Sequence, residues 1–413
     1  MKRDRLKKNS RMKISLAWAL LTTVSLWQSI GVAQEQPYTI LISFDGFRWD
    51  YIDRGYSPNL QHLAEDGART LSLKPVFPSK TFPNHYTIVT GQYSEGHGLI
   101  ANNYNDPFSG ERYSLRDQQA VREAKWYLGE AFWETAERQA VRSASYFWPG
   151  SEMNLSYRRA SYFHHYEHER PYEARVQGVL DWLQLPDAQR PRFITLYFDA
   201  VDGAGHWFGP DAPETNSAIA RVDSMLGMLV DGLQRLGLRE QTNVIVVSDH
   251  GMTDIDSTRT IWVDDLLGDL ECDIEDRGPL MLLTPQNASV DEVYQVLKKS
   301  ENRFRVYTRE TMPENFHFAR HPFIPPVVLL ADIGWSLATH DRPVGGKGHH
   351  GFDPNHLDMH GIFYANGPSF KKGYRSGTIH NIDIYPLLCA IYGIEPRLNI
   401  DGRLERVEFL LAK

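Results

Sequence analysis

The chain has 413 residues and a formal net charge of -8, enough length for a sizeable core in one large domain or two modest ones. The acidic balance argues against a general nucleic-acid binder, which needs a basic face. It leaves small anionic ligands open, because a bound metal inverts the sign of a local field.

Residues 1–34 read as a signal peptide. Lys2, Arg3, Arg5, Lys7, Lys8, Arg11 and Lys13 form a positive region, residues 14–27 a short apolar run, and Gly31-Val32-Ala33 supplies small residues before a cut near Ala33 or Gln34. An uncleaved anchor is the competing reading, but the run falls short of the about 20 residues of a membrane-spanning helix. A periplasmic or secreted protein with no transmembrane span in the mature chain is expected. Export permits a disulfide between the two cysteines, Cys272 and Cys389. Cys389 lies in the apolar stretch 384–390, which favours a buried free thiol.

Beyond residue 34 the elements come in chain order. Residues 39–44 are an apolar run leading into Asp45-Gly46. Ser57-Pro58 opens a helix with Leu60, Leu63 and Ala64 on one face and Gly67 as its stop. In Pro78-Ser79-Lys80-Thr81-Phe82-Pro83, Pro83 fits a helix start and Gly91 its end, so Thr81 falls near a helix N-terminus, where backbone N–H groups favour phosphate. On local sequence Thr81 also reads as a plain helix cap, and Ser79 is a rival hydroxyl. Residues 193–198 form a second apolar run, followed by Asp199 and by Asp202-x-x-x-His206, which on a helical turn or tight loop turns both side chains to one ion. Residues 216–236 are amphipathic with helical period. A third run, 244–248, ends in Asp249-His250. Residues 270–340 alternate as β-α-β-β and show no chemistry of their own. Gly348-His349-His350-Gly351 then sets imidazoles in a glycine-rich loop. Three continuous apolar runs ending in functional residues predict an α/β fold with a parallel sheet covered on both faces. Nitrogen and carboxylate donors without thiolate suit zinc, with manganese or iron as rivals.

Phe44-Asp45-Gly46-Phe47-Arg48, the Thr81 segment, Asp202-Gly203-x-x-His206, Ser248-Asp249-His250-Gly251-Met252 and His350-Gly351 occur in that order. Together they resemble the nucleotide pyrophosphatase/phosphodiesterase family of the alkaline phosphatase superfamily, over about 38–397. The resemblance implies an alkaline-phosphatase-like α/β sandwich, here a catalytic domain over 36–410 with a small α+β insert at 270–340. It implies two Zn2+ per chain, one held by Asp45, Thr81, Asp249 and His250 and the other by Asp202, His206 and His350. Thr81 is then the nucleophile and forms a phospho-threonine intermediate, and Asn102 donates to a phosphate oxygen, with Asn103 as its competitor. Phe82 and Tyr166 wall a nucleobase site.

The expected activity is hydrolysis of phosphodiester or pyrophosphate bonds in nucleotide derivatives, releasing nucleoside monophosphate. The partner is a small-molecule phosphodiester, with no stable nucleic-acid complex. A phospholipid or choline phosphodiesterase and an alkaline phosphomonoesterase are the alternatives, and a catalytically silent zinc-binding module is the reading from another class. The cysteine-rich and nuclease-like domains of vertebrate members find no counterpart in this sequence, which in that respect resembles the minimal bacterial enzymes. His164, His165 and His168 fall outside the implied metal set and read as pocket rim or solvated surface. His349 reads as an outer neighbour of the site or as surface.

Overall fold

The computed structural model describes residues 36–412, so the expected signal peptide lies outside the described residues. Eight strands form the central sheet: Tyr38–Phe44 (β1), Ala68–Thr70 (β2), Ser143–Tyr146 (β3), Tyr162–His164 (β4), Phe193–Phe198 (β5), Thr242–Val247 (β6), Phe363–Asn366 (β7) and Tyr374–Ser376 (β8). Their spatial order is β8-β2-β7-β6-β1-β5-β3-β4. Neighbours are parallel except β7, which runs antiparallel to both β6 and β2.

The apolar runs are continuous because the sheet is buried on both faces. Within β1, Leu41 enters one hydrophobic core while Ile40, Ile42 and Phe44 enter the other. In β6, Ile245 and Val247 side with Leu41, and Val244 and Val246 with Ile40. The helices that cover the sheet and its carboxyl edge are Pro58–Asp66 (α1), Thr81–Thr90 (α2), Phe132–Arg138 (α3), Tyr172–Leu183 (α4), Ala200–Phe208 (α5), Pro213–Arg235 (α6) and Ile384–Tyr392 (α7). Helices α2, α3 and α7 build the Leu41 core, and α1, α4 and α6 the Ile40 core.

The insert is an antiparallel sheet in the order Cys272–Ile274, Leu280–Pro285, Val327–Ala331, Phe304–Thr308. It carries the helix Val290–Lys299, which Ser289 and Glu292 start with a reciprocal capping box. This is the expected β-α-β-β pattern with one added edge strand. Both cysteines are free, and Cys389 is buried, as its apolar context suggests. Among the described residues no helix is long and apolar enough to cross a membrane.

Candidate metal centre and nucleophile

The three central strands end together. Parallel pairing sets Phe44 of β1 opposite Phe198 of β5, and Ser43 opposite Val247 of β6. The next residues along each strand, Asp45, Asp199 and Ser248 to His250, therefore emerge side by side at the carboxyl edge of the sheet. Open α/β sheets present their ligand groups at this edge. Gly46 lets the chain turn there: its φ is +69°, and a Cβ would stand 2.8 Å from the Cα of Asp202. Its N–H donates to Asp249 Oδ1 at 3.2 Å.

Asp202 and His206 share one face of α5, a turn apart. His206 Nε2 lies 3.5 Å from Asp202 Oδ1, and His350 Nε2 lies 3.6 Å from the same oxygen. On the other side, His250 Nε2 lies 3.0 Å from Asp249 Oδ2 and 3.5 Å from Asp45 Oδ1. The His250 and His350 rings stack at 3.5 Å between the two groups. Asp202, His250 and His350 each bring one donor atom within 4.8 Å of one another, as do Asp45, Asp249 and His85, a residue outside the expected set.

Each of these imidazoles is held by its Nδ1–H. His206 donates to the carbonyl of Gly348 at 2.9 Å, His250 to Gly251 at 2.9 Å and His350 to Ser79 at 2.8 Å. Backbone acceptors on Nδ1 leave Nε2 as the nitrogen that faces the carboxylates, the arrangement that orients histidine toward a metal. Asp45 Oδ1, Asp202 Oδ1 and Asp249 Oδ2 are buried and have no hydrogen-bond donor. Buried carboxylate oxygens without a donor are costly unless a cation meets them.

The electrostatics agree. Burial, then the charges of Asp249 and Asp202, hold the Asp45 carboxyl well above its ordinary range. Burial would raise Asp249 too, but His250 and His85 outweigh it and hold that carboxyl well below. Burial opposes charge on His250, yet Asp249 more than offsets it, so this nitrogen attracts positive charge. Burial, then His250 and His206, keep His350 neutral. The donor set therefore fits one or two hard-to-borderline cations of the zinc class.

Thr81 is the first residue of α2. The preceding Lys80 is the N-cap position, so Thr81 does not cap the helix. Its Oγ1 instead lies 3.3 Å from His250 Nε2 and faces a cavity of about 760 Å³. Ser79 is excluded as the rival hydroxyl: it is fully buried and donates to the Phe352 carbonyl at 2.6 Å. Asn102 Oδ1 accepts from the N–H of Phe82 at 3.1 Å, which turns its amide nitrogen outward. Asn103 also lines the cavity, but its oxygen accepts from Ser114 at 2.8 Å. Phe82 and Tyr166 both line the cavity.

Two buried residues complete the centre without having been marked by sequence. Tyr197, near the end of β5, donates to Asp45 Oδ2 at 2.5 Å. His85 sits one helical turn beyond Thr81, with Nδ1 donating to the Thr81 carbonyl at 2.9 Å and Nε2 against Ser43 Oγ at 2.7 Å. Both nitrogens are engaged, so His85 fixes α2 and stands 3.3 Å from Asp249 Oδ2. The i, i+4 spacing from Thr81 was the available signal. The insert, expected to be inert, sends Glu275, Asp276 and Arg277 to the cavity wall. Burial pushes the Glu275 carboxyl up to about 7. His349 packs edge-on to His206 at 5.1 Å and lines the cavity. His164 lines the same cavity, while His165 is an exposed partner of Glu152.

The model of the type I phosphodiesterase / nucleotide pyrophosphatase family matches residues 39–353. The chain is 37% identical over 379 residues to human ectonucleotide pyrophosphatase/phosphodiesterase family member 1, covering 88% of this chain and 41% of that protein. It is 35% identical over 378 residues to bis(5'-adenosyl)-triphosphatase enpp4 of Xenopus laevis, covering 91% of this chain and 82% of that protein. It thus spans about two fifths of the human relative and about four fifths of the frog one. Among solved structures, murine ectonucleotide pyrophosphatase/phosphodiesterase 5, an inactive variant in complex with AMP, superposes with a TM-score of 0.87 at 32% identity, covering 91% of this chain and all of that one. The fold is the alkaline-phosphatase-like one that the sequence implied. With the five ordered motifs gathered at one sheet edge, the chain belongs to the type I phosphodiesterase / nucleotide pyrophosphatase family of the alkaline phosphatase superfamily.

Proposed function

We propose that the protein is a zinc-dependent hydrolase of nucleotide phosphodiester and pyrophosphate bonds that releases a nucleoside monophosphate through a phospho-threonine at Thr81. The observation that carries this is the Thr81 hydroxyl itself, free of any capping role, 3.3 Å from His250 Nε2 and open to the cavity beside the donor-less carboxylate oxygens of Asp45, Asp202 and Asp249. Two zinc ions, one on Asp45, Thr81, Asp249 and His250 and one on Asp202, His206 and His350, would supply the charge that lowers the hydroxyl pKa and neutralises the phosphate oxygens.

The chain's own groups do the rest. The N-terminal amides of α2 point at the bound phosphate. The Asn102 amide, turned by its bond to Phe82 N–H, donates to a phosphate oxygen as charge builds. The Thr81 hydroxyl gives its proton up to solvent and its oxygen attacks phosphorus, the bond to the leaving oxygen breaks, and that oxygen departs with the electron pair on the side away from Thr81 and takes a proton from water. Water then cleaves the Thr81–phosphorus bond and restores the hydroxyl. Phe82 and Tyr166 hold the base of the transferred nucleotide. The AMP complex of the murine relative and the name of the frog relative support a nucleotide substrate.

The test is a panel on zinc-loaded protein: a nucleoside phosphodiester, a dinucleotide polyphosphate, a choline phosphodiester and a phosphomonoester, with and without chelator. The nucleotide substrates are expected to show the highest kcat/KM, with chelator abolishing turnover. Preference for the choline ester or the monoester would sink the nucleotide assignment. Export to the periplasm or medium, argued from residues 1–34, belongs to the same proposal. Amino-terminal sequencing of the protein from fractionated cells checks it, and an intact Met1 in the cytosol would overturn it.

A further inference from the structure

Helix α5 separates the reaction cavity from a second, open hollow of about 580 Å³ lined by α5, α6 and residues 168–172. Asp202 and His206 look into the first, while Ala200, Ala204 and Phe208 look into the second. Gly203 and Trp207, one turn apart, line both. A side chain at Gly203 would meet no atom within 4 Å, so the helix surface shared by the two cavities is open at this position.

The second cavity has the wrong surface for an inert cleft. Trp207 is 73% exposed, unusual for so large an apolar ring with no partner to cover it. Across from it on α6, Arg221 lies 4.2 Å over the Tyr172 ring, and among the described residues it makes no ion pair. The nearby Asp199 carboxylate is already matched by Arg175 at 3.3 Å, His168 at 3.1 Å and the Tyr172 hydroxyl at 2.9 Å. The guanidinium is therefore free of a salt bridge beside an exposed indole, with the Glu169 carboxylate elsewhere on the same lining. An aromatic platform next to an unpaired arginine is chemistry for a base and a phosphate.

The position says which ones. Thr81 stands with His250, while Asp202 and His206 stand on α5 beyond the His250–His350 stack. In-line attack from Thr81 expels the leaving group toward α5, where the Gly203–Trp207 stripe opens into the second cavity. Building on the proposed function, we propose that this cavity is a subsite for a leaving nucleoside phosphate, its base stacked on Trp207 and its phosphate paired with Arg221.

The experiment compares two substrates that transfer the same adenylate: the p-nitrophenyl ester of AMP, whose leaving group is too small to reach the subsite, and diadenosine triphosphate. Arg221→Glu is expected to lower kcat/KM for diadenosine triphosphate about tenfold, mainly through KM, and Arg221→Lys by less. Turnover of the p-nitrophenyl ester should stay within about twofold, which also reports an intact fold. Equal losses on both substrates, or none on the long one, overturn the subsite. If the unsubstituted protein cleaves neither substrate, the proposed function itself fails, an outcome the short ester identifies separately.

Discussion

Lys80 Nζ and Asp276 Oδ2 lie 3.0 Å apart, with only 4% and 8% of their side chains exposed. The pair ties the residue before Thr81 to the insert, so α2 begins from an anchored position. Removing one partner leaves the other charge buried and uncompensated. Asp276→Ala is expected to lower unfolding stability by about 3 kcal/mol or more and to lower turnover with it. Urea denaturation beside initial rates measures both, and a loss under about 0.5 kcal/mol would show that the pair is hydrated and dispensable.

Thr81→Ala deletes the hydroxyl proposed to attack phosphorus while leaving Asp45, Asp249 and His250 in place. Turnover should fall by at least about a thousandfold, with bound zinc nearly unchanged by elemental analysis. Near-normal rates in this variant would remove Thr81 from the mechanism. Loss of both zinc and rate would mean that the hydroxyl is chiefly a ligand.

Tyr197→Phe removes the hydroxyl that donates to Asp45 Oδ2 and keeps the ring. Outer hydrogen bonds of this kind orient metal ligands, and their loss weakens affinity by about 10- to 100-fold. Zinc titration against a chromophoric chelator should show that drop, with the thermal midpoint of the zinc-free protein little changed. Unaltered affinity would mean that the sheet alone fixes Asp45.

The pH dependence of stability has an identifiable contributor away from the metal centre. His97 is fully buried, and burial lowers its pKa from 6.5 to about 3. Its Nδ1 accepts from Leu99 N–H at 3.2 Å, and its Nε2 meets Thr87 Oγ1 at 2.9 Å. A proton on Nδ1 would confront the Leu99 donor. The folded value lies below the unfolded one, so between them the unfolded chain binds the proton and the folded chain does not. Stability from this group is complete above 6.5 and declines as pH falls toward about 3. His97→Gln in chelator-treated protein should flatten that acid limb in denaturation series. An identical slope in both proteins would assign the acid sensitivity elsewhere.

Much of this centre could be read from the residues because β1, β5 and β6 each run without interruption into a chemical group. A doubly covered parallel strand is largely apolar, so its end is conspicuous: Asp45 follows β1 at once, Asp249 comes just past the end of β6, and Asp202 lies in the first turn of the helix after β5. The helical spacing of Asp202 and His206 was equally plain. Tyr197 was hidden by the same rule: inside an apolar strand an aromatic hydroxyl looks like one more core ring. His85 was hidden by its helix, where only knowledge of the Thr81 carbonyl gives the imidazole a purpose. The Lys80–Asp276 pair joins residues far apart in sequence, and a contact of that range leaves no local period. Whether Thr81 caps its helix could not be read until the helix start was fixed at that residue.

The in-register pairing of the central strands also governs how the chain can assemble. β1 is made first, yet both of its neighbours, Phe193–Phe198 and Thr242–Val247, lie far downstream near the middle of the sequence. During synthesis it has neither neighbour until residues 193–198 are made, and until then it is a largely apolar, unpaired segment, the kind of strand that joins other chains when exposed. Refolding yield should therefore depend steeply on protein concentration, and a charged residue at Leu41 or Ile42 would relieve that hazard only by forbidding the native sheet.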